Sequence, residues 1–177
     1  PPGDLDWKLL VAASFAGDHV AARASAERLG FELQSTGGPI EEGWGPVVLD
    51  HPEGQLLALR TGPVTARVVQ VTGPQKAERH GDEVVFEPIP LNPDQEEAWR
   101  IFPLIGTRIQ GGYRGFGFDA RHPGKEVLER FTKSLDEAGY STWISSAPEY
   151  TLDEPEGDEI PGLYLRVAVP PDGDLRD

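Results

Sequence analysis

The feature that most constrains the fold is the stretch Gly111–Trp143, GGYRGFGFDARHPGKEVLERFTKSLDEAGYSTW, which has the pattern of a strand, a helix and a strand. Aromatic residues alternate with glycines over Tyr113–Asp119, as in a strand, and apolar residues then recur at three- and four-residue steps up to Ala138, as on one helix face. Gly139 follows the last periodic residue, where glycine commonly ends a helix, and the residues after it are β-branched and aromatic. The stretch therefore predicts a βαβ unit.

A second unit of the same kind is predicted near the start of the sequence. The apolar run Trp7–Phe15 has the length of a strand that is covered on both faces. Asp18 can cap a helix that ends at Gly30, and Phe31–Gln34 then restarts extended structure. The helix is expected to turn three residues inward and three outward: Val20, Ala24 and Leu29 inward, and Arg23, Glu27 and Arg28 outward.

The segment between the two units is rich in predicted strands. Their turn-bounded apolar runs lie at 46–50, 55–61, 65–72 and 83–88, and a last strand is expected at 163–169. A short helix is predicted over 92–102, because Asn92 can cap it and Pro93 suits its first position. Residues 149–159 hold six carboxylates and no basic residue, which favours a solvated loop.

These patterns predict an α+β fold, in which two βαβ units of ferredoxin-like or βαβββ type surround a mixed, mostly antiparallel sheet. The expected segments are a first half at 1–62, a central β-rich segment with a short helix at 63–110, and a second half at 111–177. Together they are expected to form one compact domain.

The composition excludes several classes of function. The sequence has no cysteine, so it has neither disulfides nor thiolate metal sites. Its 30 acidic and 16 basic residues give a net charge of -14, which repels nucleic acid and anionic membranes. No apolar run is long enough to cross a membrane, so a soluble, cytoplasmic protein is expected, and the preference for arginine over lysine hints at a bacterial origin.

The residues that could carry chemistry are scattered. None of the four histidines has a second histidine or a carboxylate at a local metal-binding spacing, and no serine lies in a nucleophile motif. The sequence therefore predicts no catalytic residues, no metal and no cofactor, and it favours a protein that is not an enzyme.

The glycine-rich strand gives the predicted binding residues. If its glycines thin one sheet face, a flat ligand can lie beside Tyr113, Gly115 and Phe116, and Trp44 in another glycine-rich loop is a further candidate. Leucine at Gly115 should then block binding at little cost in stability. The alternative is structural, because glycines on a strand also mark bulges or close approaches of another backbone.

Short phrases resemble the βαβββ modules of the vicinal oxygen chelate superfamily, which contains the glyoxalase and bleomycin-resistance proteins. They are LGFEL at 29–33, VVLDHPEGQLLALRTG at 47–62 and GFGFDARHPGKEVLERFTKSLDEAGY in the second half. Metal-dependent members place histidine or glutamate on the first and last strands of each module, and the corresponding strands here have neither. The resemblance therefore implies a metal-free, drug-sequestering type of binding protein, which can pair as a homodimer.

Two functions are carried forward from the sequence. The first is a non-enzymatic binding protein for a small apolar or aromatic ligand. The alternative is an acidic regulator or inhibitor, of the immunity type or similar to the ribonuclease E inhibitors, which would bind a basic protein partner. Ionic strength separates them, because charge-led association weakens steeply with salt.

Overall fold

A computed structural model describes residues 3–73, 76–77, 79–94, 99–153, 157 and 159–173 of the chain. In these ranges it has three helices and nine strands, so the predicted α+β class is confirmed. The chain divides into two compact units, one of residues 1–70 and 81–111, the other of residues 71–80 and 112–177. The elements are α1 Asp4–Ala16, α2 His19–Arg28, β1 Pro46–Asp50, β2 Leu56–Arg60, β3 Thr65–Val68, β4 Glu83–Phe86, β5 Ile101–Ile109, β6 Arg114–Arg121, α3 Lys125–Glu137, β7 Ser141–Ile144, β8 Thr151–Asp153 and β9 Glu159–Val169.

The first unit contains a closed five-stranded barrel, β1 to β5 in sequence order. Neighbouring strands pair antiparallel, and parallel pairing of β1 with β5 closes the barrel. Side chains that alternate along the strands fill its interior, with Leu49, Val84 and Phe86 fully buried. The predicted boundary between the first two segments, at residues 62–63, lies within this barrel, because these residues connect the paired strands β2 and β3.

The prediction of a strand at Trp7–Phe15 is wrong, since these residues belong to helix α1. Its buried residues Leu10, Ala13 and Ser14 are three and four positions apart and lie on one helix face. A continuous apolar run does not distinguish a strand from a helix, and this run is rich in alanine and leucine, which favour helices. The first half therefore opens with two packed helices instead of a βαβ unit.

The capping signals of helix α2 are confirmed, but the predicted faces are partly wrong. The Asp18 carboxylate accepts a hydrogen bond from the Ala21 amide, and Gly30 has the positive φ that ends the helix. Val20, expected inside, is 81% exposed. Arg23, expected outside, is buried and donates five hydrogen bonds to residues 35–39 in the loop that follows α2. Residues 31–34 form no strand.

The four predicted central strands are confirmed as β1 to β4, with shorter bounds for β2, β3 and β4. The helix expected over 92–102 is contradicted at its end, because Ile101 and Phe102 begin strand β5. The Asn92 side chain bonds to the residues at the start of that strand: its amide donates to the Trp99 carbonyl and its oxygen accepts from the Ile101 amide. Residues 95–98, in the middle of the predicted helix, lie outside the described residues.

The second unit confirms the predicted strand, helix and strand as β6, α3 and β7. Gly139 follows α3 with a φ of 83°. The sheet order is β6-β9-β7, and β9 is antiparallel to both neighbours, so β6 and β7 run in the same direction with β9 between them. Within the predicted acidic loop, β8 pairs with the start of β9.

Candidate functional site

The candidate site is a groove in the second unit, between helix α3 and the sheet. Side chains that lie opposite each other in a pair of antiparallel strands point to the same face of the sheet. Phe118 of β6 pairs with Leu165 of β9, and Ala120 pairs with Leu163, so these four residues share one face. Helix α3 approaches β7 more closely than the other strands of this sheet. The end of β6 therefore keeps an apolar face that the helix does not cover.

The groove has a volume of about 390 Å³. Leu128, Leu163 and Leu165 are its buried residues, whereas Phe118, Val127 and Phe131 are 44–50% exposed. Ligand pockets typically have volumes of about 300–1,000 Å³ and mainly apolar walls. The groove is distinguished from the rest of the second unit by the large apolar side chains that line it. The lining residues are Phe118, Ala120, Arg121, Pro123, Val127, Leu128, Phe131, Leu163 and Leu165.

The charge distribution of the groove differs from that of the chain. Among the lining residues, all of which lie in the described ranges, Arg121 is the one charged residue and no acidic residue is present. Within the described part of the chain, Arg121 makes no side-chain hydrogen bond and no ion pair. Asp119 and Arg121 alternate to the face of β6 opposite Phe118 and Ala120. On that face the Asp119 carboxylate accepts hydrogen bonds of 3.0 and 3.1 Å from the Tyr150 hydroxyl.

Two of the residues predicted from the sequence, Tyr113 and Gly115, border a cavity of only about 10 Å³. The Tyr113 ring packs edge-on against His80, with ring centres 4.8 Å apart. A Cβ atom at Gly115 would lie 2.7 Å from the Thr72 carbonyl oxygen. This face, expected to be open, is therefore closed at Gly115, and the remaining space is about that of one water.

Phe116 is the predicted residue nearest the groove in the structure. It shares a strand face with Phe118 and packs against the core cluster to which Leu128, Leu163 and Leu165 belong. Phe116 therefore contributes to the core below the groove and does not line the groove itself.

Trp44, the remaining predicted residue, lies in the first unit. Its ring packs against Phe31 at 5.3 Å, and the Arg60 guanidinium lies 5.4 Å from its centre. Arg60 also lies over the rings of Phe86 and Phe102, and burial lowers its pKa below the ordinary value. Trp44 thus forms one wall of an aromatic enclosure around the Arg60 guanidinium.

Two cavities in the described part of the first unit are smaller than the groove. One of about 200 Å³ lies between α1 and the residues after β4, and the Lys8–Asp4 ion pair forms part of its lining. Another, of about 20 Å³, borders the buried ion pair between Arg108 and Glu83. In the described residues, no three histidine, aspartate or glutamate side chains are grouped so that they could hold a metal ion.

Sequence reasoning missed Phe118 and Phe131 as site residues, because apolar residues on a strand and on the following helix normally cover each other. The available signal is that large apolar residues recur on both elements, with Phe116 and Phe118 on β6 and Val127 and Phe131 on α3. The spacing of apolar residues along β6 and α3 does not specify where the helix lies on the sheet.

The fold and the groove define an α+β protein with an open apolar site in its second unit. No protein-family model, curated protein or solved structure matches the chain. Among the described helices, none has the length and apolar character that crossing a membrane requires.

Proposed function

We propose that this protein is a non-enzymatic binding protein that holds a small apolar or aromatic ligand in the groove between α3 and β6. The observation that carries the proposal is an unfilled volume of about 390 Å³ with an almost wholly apolar lining. Phe118 and Phe131, each about half exposed, would lose apolar surface to water when a ligand binds. Burial of such surface contributes roughly 25 cal/mol per Å².

The donor set of the groove suits an apolar ligand better than a metal or a metal-bound substrate. The lining residues are apolar apart from Arg121, so their side chains offer a cation no oxygen, sulfur or imidazole ligand. The proposal therefore includes no metal and no cofactor.

Kinship with the vicinal oxygen chelate superfamily is proposed for the second unit alone. There, β6, α3, β7, β8 and β9 follow the order of one strand, one helix and three strands that a βαβββ module has. The first unit begins with two helices and offers no such order before its barrel. Ligand binding by Tyr113, Gly115, Phe116 and Trp44 stays a prediction, but the groove has the larger volume.

The proposal is tested by filling the groove. Ala120 is exposed on the groove face of β6, and phenylalanine is favourable in a strand, so Ala120→Phe should occupy the site without unfolding the unit. The neutral aromatic probe 1-naphthalenemethanol is titrated into the protein while backbone amide resonances are recorded. We expect shifts in β6 and α3 that saturate with the native protein and disappear in Ala120→Phe.

Ala147→Phe is the matched control, because Ala147 is an exposed alanine of the same unit that does not line the groove. It should bind the probe as the native protein does. Shifts centred on Tyr113 or Trp44 would instead support the residues predicted from the sequence. If sedimentation shows a dimer that Ala120→Phe dissociates, a second copy of the chain fills the groove and the proposal is wrong.

The acidic regulator is retained as the second candidate because of the net charge of -14. It would bind a basic protein through charge and not through the groove. Its association should weaken by orders of magnitude between about 0.05 and 0.5 M salt, whereas binding of a neutral apolar probe should scarcely change.

A further inference from the structure

We infer that the ligand of the groove is an extended peptide, which adds to the free edge of β6 as a further strand and places one large apolar side chain in the groove. This inference rests on the proposed function and adds the chemical class of the ligand. One wall of the groove is formed by the edge strand of the sheet, because Phe118 and Ala120 line it from β6 and β6 ends the order β6-β9-β7. An apolar pocket and a free strand edge therefore lie side by side.

The outer edge of β6 carries backbone groups that no other strand uses. Within the described residues, Arg114–Arg121 pairs with β9 alone and forms no other backbone hydrogen bond. Gly117 and the four residues that follow it are exposed, and the exposure of a glycine is exposure of its backbone. Since the N–H and C=O groups of alternate residues point away from the partner strand, this edge presents unpaired donors and acceptors to solvent.

The sequence of β6 has few of the features that keep strand edges unpaired. Edge strands are commonly protected by lysine, by proline or by a β-bulge. The strand RGFGFDAR contains no lysine and no proline, and its eight pairs with β9 follow one regular register. A further strand can therefore pair with residues 117–121 without a change in β6.

Ala120 is the position at which an added strand reaches the groove. Side chains directly opposite each other on paired strands have Cβ atoms about 4.5–5.5 Å apart and point to the same face. A residue opposite Ala120 therefore points to the groove face, and the small alanine lets a large side chain extend toward Leu163 and Phe131, which line the same groove. In recognition by strand addition, main-chain hydrogen bonds give affinity and such a pocket gives specificity.

The charges on either side of Ala120 match particular neighbours of that apolar residue. Asp119 and Arg121 are exposed and lie on the other face of β6. The Asp119 carboxylate keeps acceptor sites after it binds the Tyr150 hydroxyl, and Arg121 forms no ion pair in the described part of the chain. Because opposite charges across a strand pair are stabilising, an antiparallel peptide fits best with an acidic residue before the apolar one and a basic residue after it.

The same two requirements disfavour a second copy of β6 as the added strand. Two-fold antiparallel pairing that matches Asp119 with Arg121 sets Ala120 opposite Ala120, so no large side chain enters the groove. Pairing that sets Phe118 opposite Ala120 instead brings the two Asp119 carboxylates together, which is destabilising. A separate peptide meets both requirements at once.

The test uses the peptide acetyl-Thr-Glu-Phe-Lys-Val-Thr-amide, whose phenylalanine is set opposite Ala120. Its glutamate is then opposite Arg121 and its lysine opposite Asp119. One control peptide has alanine in place of the phenylalanine. A second control carries N-methyl groups on the phenylalanine and lysine amides, which removes strand hydrogen bonds and keeps the side chains. Each peptide is titrated into the protein while amide resonances and amide hydrogen exchange are recorded.

The native protein should bind the first peptide, with shifts in β6 and α3 and new exchange protection of amides within 117–121. Each control peptide should bind at least about tenfold more weakly, the scale of one or two strand hydrogen bonds or of one buried apolar side chain. Ala120→Phe should weaken binding of the first peptide to a similar extent, because it fills the groove. Ala147→Phe, outside the lining, should bind it as the native protein does.

The outcomes separate this inference from the proposed function. If 1-naphthalenemethanol binds in the groove but the peptide does not, or if the N-methylated peptide binds as tightly as the first, strand addition is wrong and the proposed function stands. If the alanine peptide binds as tightly, the edge binds peptides without the groove and the inference is overturned.

A second copy of the chain gives a different result. If amides within 117–121 are already protected in the free protein, and sedimentation shows a dimer that the peptide does not dissociate, the edge is occupied by that copy and the inference is overturned. If neither the alcohol nor the peptide binds in the groove, the proposed function fails as well.

Discussion

Replacing Gly115 with alanine is expected to destabilise the second unit, although a methyl group on a glycine strand looks harmless in the sequence. The added Cβ would lie 2.7 Å from the carbonyl oxygen of Thr72, whereas ordinary van der Waals contact begins at 3.4 Å. The oxygen belongs to the backbone of a residue that is only 3% exposed, so no flexible side chain can move aside. Either β6 or the segment around Thr72 must shift by several tenths of an ångström.

The cost follows from the size of that overlap. Forcing extra carbon atoms into well-packed sites typically costs about 1–3 kcal/mol, and we expect Gly115→Ala to fall within this range. Gly115→Leu should cost more, because the longer side chain meets the same backbone oxygen. An open glycine face would instead keep either substitution within about 1 kcal/mol.

Urea unfolding provides the measurement, with amide resonances of β6 and β9 reporting on the second unit. For an m-value of about 2 kcal/mol per molar urea, a loss of 2 kcal/mol lowers the midpoint by about 1 M. Gly73→Ala is the matched control in the same unit, since its Cβ would lie 3.9 Å from the nearest atom, in the Arg166 guanidinium. Equal midpoints for Gly115→Ala and the native protein would refute the reasoning and reopen this face as a ligand site.

Three further predictions concern stability and titration. Leu49→Ala should destabilise the barrel by about 2–5 kcal/mol, measured by urea unfolding, because Leu49 is fully buried, whereas Leu59→Ala on the exposed face of the same barrel should cost under about 1 kcal/mol. Arg23→Met should cost about 3 kcal/mol by the same assay, since it leaves the loop after α2 without five hydrogen bonds; an unchanged midpoint would show that water replaces them. The hydrogen bond to Asp119 raises the pKa of Tyr150 above its ordinary value of 10.0, so its stabilising effect is full below that pH and is lost as the pH rises through the folded-state pKa. Asp119→Asn should lower the pKa of the phenol toward its ordinary value, followed by NMR of the tyrosine ring carbons, and an unaltered titration would contradict this.

The segment β6–α3–β7 could be predicted from the sequence because its signals are local. The alternation along β6, the helical period of α3 and the position of Gly139 depend only on residues a few places apart. The hairpin of β1 and β2 and the capping of α2 by Asp18 were predictable for the same reason. These features fix the type of an element without reference to what packs on it.

Helix α1 and the buried Arg23 needed the tertiary structure. An apolar run of this length suits a buried strand or a helix, and the choice was made by the barrel surface on which Leu10 and Ala13 pack. Arg23 is polar by type, yet its guanidinium satisfies carbonyl groups up to sixteen residues away. No local pattern specifies such a partner.

The candidate site shows the same division. The sequence by itself determined that Phe116 and Phe118 share one face of a strand and that the following helix has an apolar face to set against it. Only the tertiary structure decided that α3 lies toward β7, which leaves Phe118 and Phe131 lining an open groove, and that Thr72 closes the glycine face. The physical reason is that periodicity specifies which side chains share a face, whereas the packing of distant segments decides which part of that face stays uncovered.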